Sequence, residues 1–101
     1  MTVLRFRKKF LIELRELRDL RGKSFDLDAW LWAIELLGAG ADLPATFKDH
    51  ALAGDWAHRR EFHIGDDDLI IYVRKKRTDE VVFHRAGTHK RLFRRRAKRK
   101  Q

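Results

Sequence analysis

Two stretches in the first 40 residues repeat apolar side chains at the spacing of an α-helix. A short strand candidate at residues 2–6 precedes them, and the first stretch runs to Arg21. Gly22 then ends this helix, and Ser24 or Asp26 can cap the next one by accepting hydrogen bonds from free backbone N–H groups. The second stretch covers residues 26–37, and two glycines follow it. The pattern predicts a hairpin of two helices. The apolar positions that carry it are Phe6, Phe10, Leu14, Leu17, Leu27, Trp30, Leu31, Ile34 and Leu37.

From residue 59 onward the pattern changes to the alternation of a β-strand. Phe62 and Ile64 alternate with Glu61 and His63, and the turn sequence Gly-Asp-Asp-Asp follows at residues 65–68. Two further strands are predicted, at residues 69–73 and 81–85, with a turn between them at residues 76–79. Together with the N-terminal strand, these elements predict an α+β fold in which two N-terminal helices pack on a small antiparallel sheet. We expect one domain over residues 1–93 and a basic tail over residues 94–101.

The alternation also predicts which side chains share a face. If Phe62 points into the core, His63 faces outward with Arg59 and Glu61. If the turn pairs Ile64 with Leu69, Tyr72 falls opposite Glu61 on this outer face. Four polar side chains could then converge on one edge of the sheet, with two of them in loops before and after the strands. These four are His50, His63, Asp67 and His89.

Composition limits the class of protein. The chain has 101 residues and 44% hydrophobic residues, which suffice for one modest core. It has no cysteine, so disulfides and thiolate zinc sites are excluded, and a reducing cytoplasm fits. Charged residues interrupt the N-terminal segment, so it lacks the core of a signal peptide, and nowhere do about 18 apolar residues run together as a spanning helix needs. We expect a soluble, cytoplasmic protein with no membrane partner.

Charge indicates the partner. The net charge is +9, and the excess lies in the second part of the chain. Residues 1–68 hold 11 basic and 13 acidic side chains, whereas residues 69–101 hold 13 basic and 2 acidic ones. Such a distribution favours a nucleic acid as the partner of one end of the domain. A solvated tail and a membrane-surface patch are the alternatives. A helix on a membrane surface would need an apolar face, whereas the tail after Phe93 contains only Ala97 as an apolar residue.

The histidines and acids are the candidates for chemistry. Cleavage of RNA requires a group that takes the 2′-hydroxyl proton, a group that protonates the leaving 5′-oxygen, and cations that hold the phosphate. Imidazole can perform either proton transfer, and Arg85 could stabilise the charge that develops on phosphorus. A histidine on a surface is more often a solvated polar residue, so spacing alone does not decide. His58 and His84 are assigned no role.

Four segments of the chain resemble, in order and spacing, the YafQ branch of the RelE toxin superfamily. The resemblance covers residues 43–93, while the two helices match only in length and pattern. It implies a RelE-like microbial ribonuclease fold and a ribosome-dependent endoribonuclease that cleaves messenger RNA and is inhibited by a cognate antitoxin. The segments are FKDHALAGDW at residues 47–56, REFHI at 60–64, LIIY at 69–72 and RAGTHKRLF at 85–93.

The resemblance also implies roles for individual residues. His89 would be the general acid, Asp67 or His50 would assist the 2′-hydroxyl, and His63 would orient the phosphate. Arg85 would offset charge, and Phe93 would stack on or support the bound nucleotide. Attack by the substrate's own hydroxyl implies no cofactor and no metal.

Three features depart from the family pattern. His58 stands where the family often has glycine. The turn has three consecutive acids where the family has Pro-Asp-Trp, and we expect Asp66 and Asp68 to point to solvent while Asp67 serves the site. The tail at residues 94–101 extends past the usual end and would add affinity for ribosomal RNA, unless it is merely solvated.

Two other classes of protein remain open. ParE-like relatives share the fold but act on DNA gyrase and lack the histidine set, so the presence of His50, His63 and His89 argues against them. A basic RNA-binding module without catalysis is the second alternative, and charge alone does not distinguish it from a nuclease.

Overall fold

A computed structural model describes residues 1–93, which form a five-stranded sheet with two long helices on one face. The strands lie in the order β1-β5-β4-β3-β2. The predicted α+β class is confirmed, but the sheet is mixed because β1 runs parallel to β5, and it gains a short edge strand at His50, which we expected in a loop. The elements are β1 (Val3–Phe6), α1 (Lys8–Arg21), α2 (Leu27–Gly38), β2 (His50–Ala51), β3 (Arg60–Gly65), β4 (Asp68–Lys75) and β5 (Glu80–Gly87).

The junction between the two helices lies where the sequence predicts. The last turn of α1 closes at Gly22, which has φ 57° and donates its N–H to the carbonyl of Arg18. At the start of α2, the side chain of Asp26 accepts a hydrogen bond of 2.9 Å from the backbone N–H of Ala29. Of the two candidate caps, Asp26 is therefore the one that fills this position.

The main core lies between the helices and the inner face of the sheet. Its centre is aromatic: the ring centroids of Phe10, Trp30 and Phe83 lie 5.3 to 5.7 Å from one another. Burying one large apolar side chain contributes roughly 1.5–3 kcal/mol, so these rings dominate the packing energy. The buried core residues of this face are Phe10, Trp30, Ala33, Leu37, Phe47, Phe62, Ile64, Ile70, Tyr72, Val81, Phe83 and Ala86.

The register of β3 and β4 differs from the prediction by one residue. Leu69 pairs with His63 instead of Ile64, because a bulge lies between His63 and Gly65 at the end of β3. A shift of one residue moves a side chain to the other face of a sheet. The expectation that Tyr72 lies on the outer face is therefore wrong, since Tyr72 is fully buried in the inner core.

Tyr72 keeps its hydroxyl partnered inside this core. The hydroxyl donates a hydrogen bond of 2.9 Å to Asp49 Oδ1, and the same carboxylate oxygen contacts Arg60 Nε at 3.2 Å. Burial, together with the neighbouring Asp49 carboxylate, raises the pKa of Tyr72 to about 12. Tyr72 is thus a neutral structural donor that ties the segment before β2 to the sheet.

His58 adopts a left-handed backbone conformation. Its φ is 72°, a region that side chains with a Cβ rarely occupy and that glycine enters freely. This conformation fits the glycine that the family resemblance implies at this position. Here the loop before β3 retains a histidine at a backbone cost.

Two expectations concern the ends and the surroundings of the domain. Within residues 1–93, no helix is long and apolar enough to cross a membrane. The basic tail that we assigned to residues 94–101 lies outside the residues that the structure describes.

Candidate catalytic site on the outer sheet face

One row of paired residues crosses the outer face of the sheet. His50 on β2 lies opposite Glu61 on β3, Glu61 lies opposite Ile71 on β4, and Ile71 lies opposite Arg85 on β5. Neighbouring strands are about 4.8 Å apart, so each residue of the row lies next to residues that are distant from it in sequence. The site is thus assembled by strand register.

Glu61 is the centre of this site. Its Oε2 atom lies 3.2 Å from His50 Nε2, 3.5 Å from His63 Nε2 and 3.9 Å from His89 Nε2. Although Glu61 carries a carboxylate, it is only 3% exposed. Three of the predicted site residues therefore converge as expected, around an acid to which the sequence analysis gave no role. The signal that could have revealed Glu61 is its alternation with His63 on the same strand face.

Asp67 holds the imidazole of His89. Asp67 Oδ1 lies 2.8 Å from His89 Nδ1 and also accepts the backbone N–H of His89 at 3.0 Å. This backbone hydrogen bond, followed by the side-chain contact and the charges of His89 and Arg21, lowers the pKa of Asp67 below its ordinary value. Because an ionised carboxylate only accepts hydrogen bonds, Nδ1 carries a proton and Nε2 faces the cluster around Glu61.

Aromatic rings line the site on the side of the C-terminal segment. The ring centroid of Phe93 lies 6.0 Å from that of His89 and 5.3 Å from that of Trp56. Phe93 therefore lies beside the predicted acid, as its proposed stacking role requires. Trp56 had no predicted role, yet it packs with Phe93 against the small outer cluster of Leu69, Ile71 and Leu92.

Arg85 reaches the outer face but is already paired. Its Nε and Nη2 atoms donate hydrogen bonds of 2.7 and 2.8 Å to the two carboxylate oxygens of Glu13 on α1. Its Cζ atom lies 6.0 Å from the ring centroid of Trp56, and the side chain is 23% exposed. Glu13 could have been noticed in the sequence, because it is an acid on the apolar face of α1 between Phe10 and Leu17.

The three acids of the β3–β4 turn have separate environments. Asp66 is exposed, as expected, and Asp67 contacts His89. The expectation that Asp68 points to solvent is wrong, because Asp68 is buried and forms an ion pair of 2.8 Å with Arg21 on α1. The cation on α1 offsets the desolvation of this carboxylate.

The cluster can also hold a metal ion. Glu61, His63 and His89 each offer one ligand atom, and these atoms all lie within 4.8 Å of one another. Two imidazoles and one carboxylate suit copper, zinc or nickel. The same nitrogen atoms serve proton transfer, so a bound metal and acid–base catalysis would compete for them. The sequence-based expectation of a metal-free site stays a prediction.

The fold and the site define a class of protein: a small α+β domain with histidines and carboxylates grouped on one sheet face, which fits the resemblance to RelE-type toxins. The family profile described as "Bacterial toxin of type II toxin-antitoxin system, YafQ" matches residues 3–94. The chain belongs to this YafQ toxin family, and the resemblance found in the sequence is confirmed.

Individual relatives show the same likeness. The mRNA interferase toxin YafQ of Escherichia coli is 46% identical over 52 residues, which are 50% of this chain and 53% of that protein, so the match spans about half of each. A copper-bound mutant toxin from Helicobacter pylori superposes with a TM-score of 0.80 and 35% identity, over 92% of this chain and 100% of that one. The E. coli DinJ-YafQ complex gives a TM-score of 0.75 and 29% identity, over 92% and 99%.

Proposed function

We propose that this chain is the toxin of a toxin–antitoxin pair and cleaves messenger RNA on the ribosome, in the cytoplasm. The observation that carries the proposal is the convergence of His50, His63 and His89 on the buried carboxylate of Glu61. The printed name of the E. coli relative, mRNA interferase toxin, supports the same activity. The sheet face that holds the cluster carries the chemistry of a metal-independent ribonuclease, in which the substrate's 2′-hydroxyl is the nucleophile.

The orientation of His89 suits the donation of a proton to the leaving group. Asp67 fixes its Nδ1 atom, so Nε2 can protonate the 5′-oxygen as the P–O bond breaks. The products are a 2′,3′-cyclic phosphate and a free 5′-hydroxyl, with no net loss or gain of protons by the enzyme.

The contacts of His50 and His63 suggest how the other two tasks are divided. His50 Nδ1 lies 2.7 Å from the carbonyl oxygen of Lys48, and His50 Nε2 faces Glu61, so both ring nitrogens meet acceptors. A ring that donates from both nitrogens suits a cation that orients the phosphate. His63, backed by Glu61, then takes the 2′-hydroxyl proton. This division exchanges the roles that the family resemblance implies for His50 and His63.

Arg85 and Phe93 would act on the substrate beside this cluster. Glu13 occupies the Nε and Nη2 atoms of Arg85, which leaves the remaining edge of the guanidinium to offset charge on the phosphate. Phe93, packed against Trp56, offers a ring for a nucleotide base next to His89.

The partner that controls this activity is a cognate antitoxin. A solved E. coli DinJ-YafQ toxin-antitoxin complex supports an antitoxin partner of the same kind. The net charge of +9 favours an antitoxin segment with acidic residues, because complementary charge accelerates association. We propose that this segment covers the outer sheet face and keeps it from the ribosome.

Purified protein, translating ribosomes and a primer-extension assay test the proposed function. We expect new message ends that depend on both the protein and the ribosome. Inhibition of DNA supercoiling by gyrase without RNA cleavage would instead identify a ParE-like toxin, and ribosome binding without new ends would identify a non-catalytic RNA-binding module. Either result contradicts the proposal.

A second property, metal binding, is favoured by the ligand geometry. Glu61, His63 and His89 form a candidate site, and the H. pylori relative was solved with copper bound. We propose that Cu²⁺ inhibits cleavage by occupying the imidazole nitrogens. We expect cleavage to survive a chelator that is selective for transition metals and leaves the Mg²⁺ of the ribosome in place, and to fall with added Cu²⁺. Loss of cleavage under that chelator would contradict both this property and the metal-independent mechanism.

A further inference from the structure

Helix α1 makes charged contacts with three segments that surround His89. Glu13 contacts β5 just before His89, Arg21 contacts the turn that carries Asp67, and Glu16 contacts Arg91 just after His89 at 2.7 Å. Glu13 and Glu16 are three residues apart and are neighbours on the helix surface, and Arg21 lies in the last turn of the helix. A single helix thus reaches every segment that places the predicted proton donor.

Glu13 closes the open edge of β5. Strand β1 ends at Phe6, which pairs with Phe83, so the backbone of β5 continues past the end of its neighbour. There the N–H of Ala86 donates a hydrogen bond of 3.2 Å to Glu13 Oε1, alongside the two bonds from Arg85. The buried carboxylate therefore fixes both the backbone and a side chain of β5, three residues before His89.

Arg21 fixes the other half of the site. Its Nε and Nη2 atoms both lie 2.8 Å from Asp68 Oδ1. Asp68 is buried against the turn, where a Cβ on Gly65 would come within 3.0 Å of its Oδ2 atom. The neighbouring residue in the chain is Asp67, which accepts both hydrogen bonds from His89. The contact with Arg21 thus holds the segment from which Asp67 orients the imidazole.

The Asp67–His89 contact needs this support because it is exposed. The two side chains are 49% and 53% exposed, and an exposed ion pair holds its own geometry only weakly. In contrast, the carboxylates of Glu13 and Asp68 are less than a tenth exposed, so their contacts with α1 are shielded from water. The rigid contacts lie on α1, and the exposed contact depends on them.

We propose that Glu13 and Arg21 are positioning residues, through which helix α1 sets the alignment of His89 with Asp67. This inference rests on the proposed function, in which His89 donates the proton. The residues touch no substrate and act through the segments that they hold. A small misplacement of a catalytic group can lower the rate about 10²-fold, so the effect should be visible in kcat.

Two variants and two matched controls test the proposal. Glu13→Gln and Arg21→Gln each remove one charge from a contact with the site. Glu35→Gln on α2 and Arg18→Gln on α1 remove the same charges from exposed positions. The first readout is the imidazole ¹⁵N shifts of His89 and the pH at which the Asp67 carboxyl titrates, measured by NMR on the free protein. The second is kcat and KM for ribosome-dependent cleavage.

We expect both site variants to change the ¹⁵N shifts of His89 and to lower kcat at least about tenfold at saturating ribosomes, with KM little changed. Arg21→Gln should also raise the pKa of Asp67, because Arg21 helps to lower it. The controls should match the parent protein. A purely structural role would lower the melting temperature and leave these quantities unaltered, and that result in folded protein would overturn the proposal.

A conservative variant covers the case in which Arg21→Gln does not fold. Arg21→Lys keeps the charge but loses the paired contact of two guanidinium nitrogens, so we expect a smaller fall in kcat and altered His89 shifts. Unchanged shifts and kcat would overturn the role of Arg21. If the parent protein itself fails to cut messages while His89 shifts respond to both variants, the positioning by α1 stands and the proposed function falls.

Discussion

The two faces of the sheet are stabilised in different ways. The inner face packs large apolar side chains against two helices, and its buried tyrosine, Tyr72, is neutral and donates to Asp49. The outer face has only a small apolar cluster, and beside it buries the charged carboxylate of Glu61 among imidazoles. The inner face therefore provides most of the free energy of folding. This free energy offsets the cost of burying polar groups on the outer face.

The difference teaches why the site depends on contacts made by several elements. The penalty for burying one ion is several kcal/mol, and it is offset only when partners surround the charge. Within residues 1–93, every buried side-chain nitrogen or oxygen has a hydrogen-bond partner. The partners of the buried outer-face carboxylates come from α1, β2, β3, β5 and the segment after β5, so the outer face keeps its geometry only while the inner core holds these elements together.

The largest expected effect breaks the chemistry of the outer face alone. Replacing His89 by Ala should lower ribosome-dependent cleavage about 10²- to 10⁴-fold, because a positioned acid is lost. The melting temperature should change little, since the side chain of His89 is half exposed. His84→Ala is the matched control: His84 belongs to the same sheet, outside the cluster, and should leave cleavage unchanged. Full activity of the His89 variant would contradict the assignment of the acid.

The second prediction concerns the packing of the inner face. Phe83 is fully buried among aromatic rings, so Phe83→Ala should cost about 3–5 kcal/mol in the free energy of unfolding. Leu20→Ala, at an exposed position of α1, should change it by less than about 0.5 kcal/mol. Urea unfolding measures both. Equal losses for the two variants would show that the helices do not pack on this face as described.

The pH dependence of Asp67 sharpens the comparison. The pKa of Asp67 is lower in the folded chain than its ordinary value of 3.8, so the ionised carboxylate favours folding. This contribution is complete above about pH 5 and is lost as pH falls through the folded-state pKa. The difference in stability between the parent protein and Asp67→Asn should therefore shrink as the pH falls from about 5 towards the folded-state pKa of Asp67. A difference that grows in acid would have the wrong sign.

The smallest expected effect concerns the loop before β3, which contains His58. Because His58 has φ 72°, His58→Gly should relieve backbone strain and change the free energy of unfolding by at most about 1 kcal/mol in the stabilising direction. Thermal unfolding checks the sign. Clear destabilisation would show that the His58 side chain makes a contact worth more than the strain.

Much of the fold could be predicted because local periodicity reports it directly. Helix α1 ends at Gly22 and α2 begins after Asp26, where residue type and backbone requirement coincide. The register at Tyr72 could not be predicted, because a bulge after His63 shifts the pairing by one residue. Periodicity reports the alternation within a strand but not an irregularity between two strands.

Part of the candidate site could also be predicted from the sequence. His50, His63 and His89 were recognised by their chemistry and by resemblance to a family, and the structure brings them together. Glu61 and Glu13 were missed as functional residues, because an acid in a sequence is ordinarily a solvated residue. Their importance follows from burial and from partners up to 73 positions away in the chain, which only the folded structure reveals.

The central claim, that this outer face cleaves RNA through the 2′-hydroxyl, is tested most directly on a message with a single 2′-deoxy nucleotide at the cleavage site. The account predicts that the deoxy substitution abolishes cleavage at that phosphodiester while ribosome binding is retained, and that the unmodified message yields a 2′,3′-cyclic phosphate and a 5′-hydroxyl. Cleavage of the deoxy message, leaving a 3′-hydroxyl and a 5′-phosphate, would contradict it, because water would then be the nucleophile.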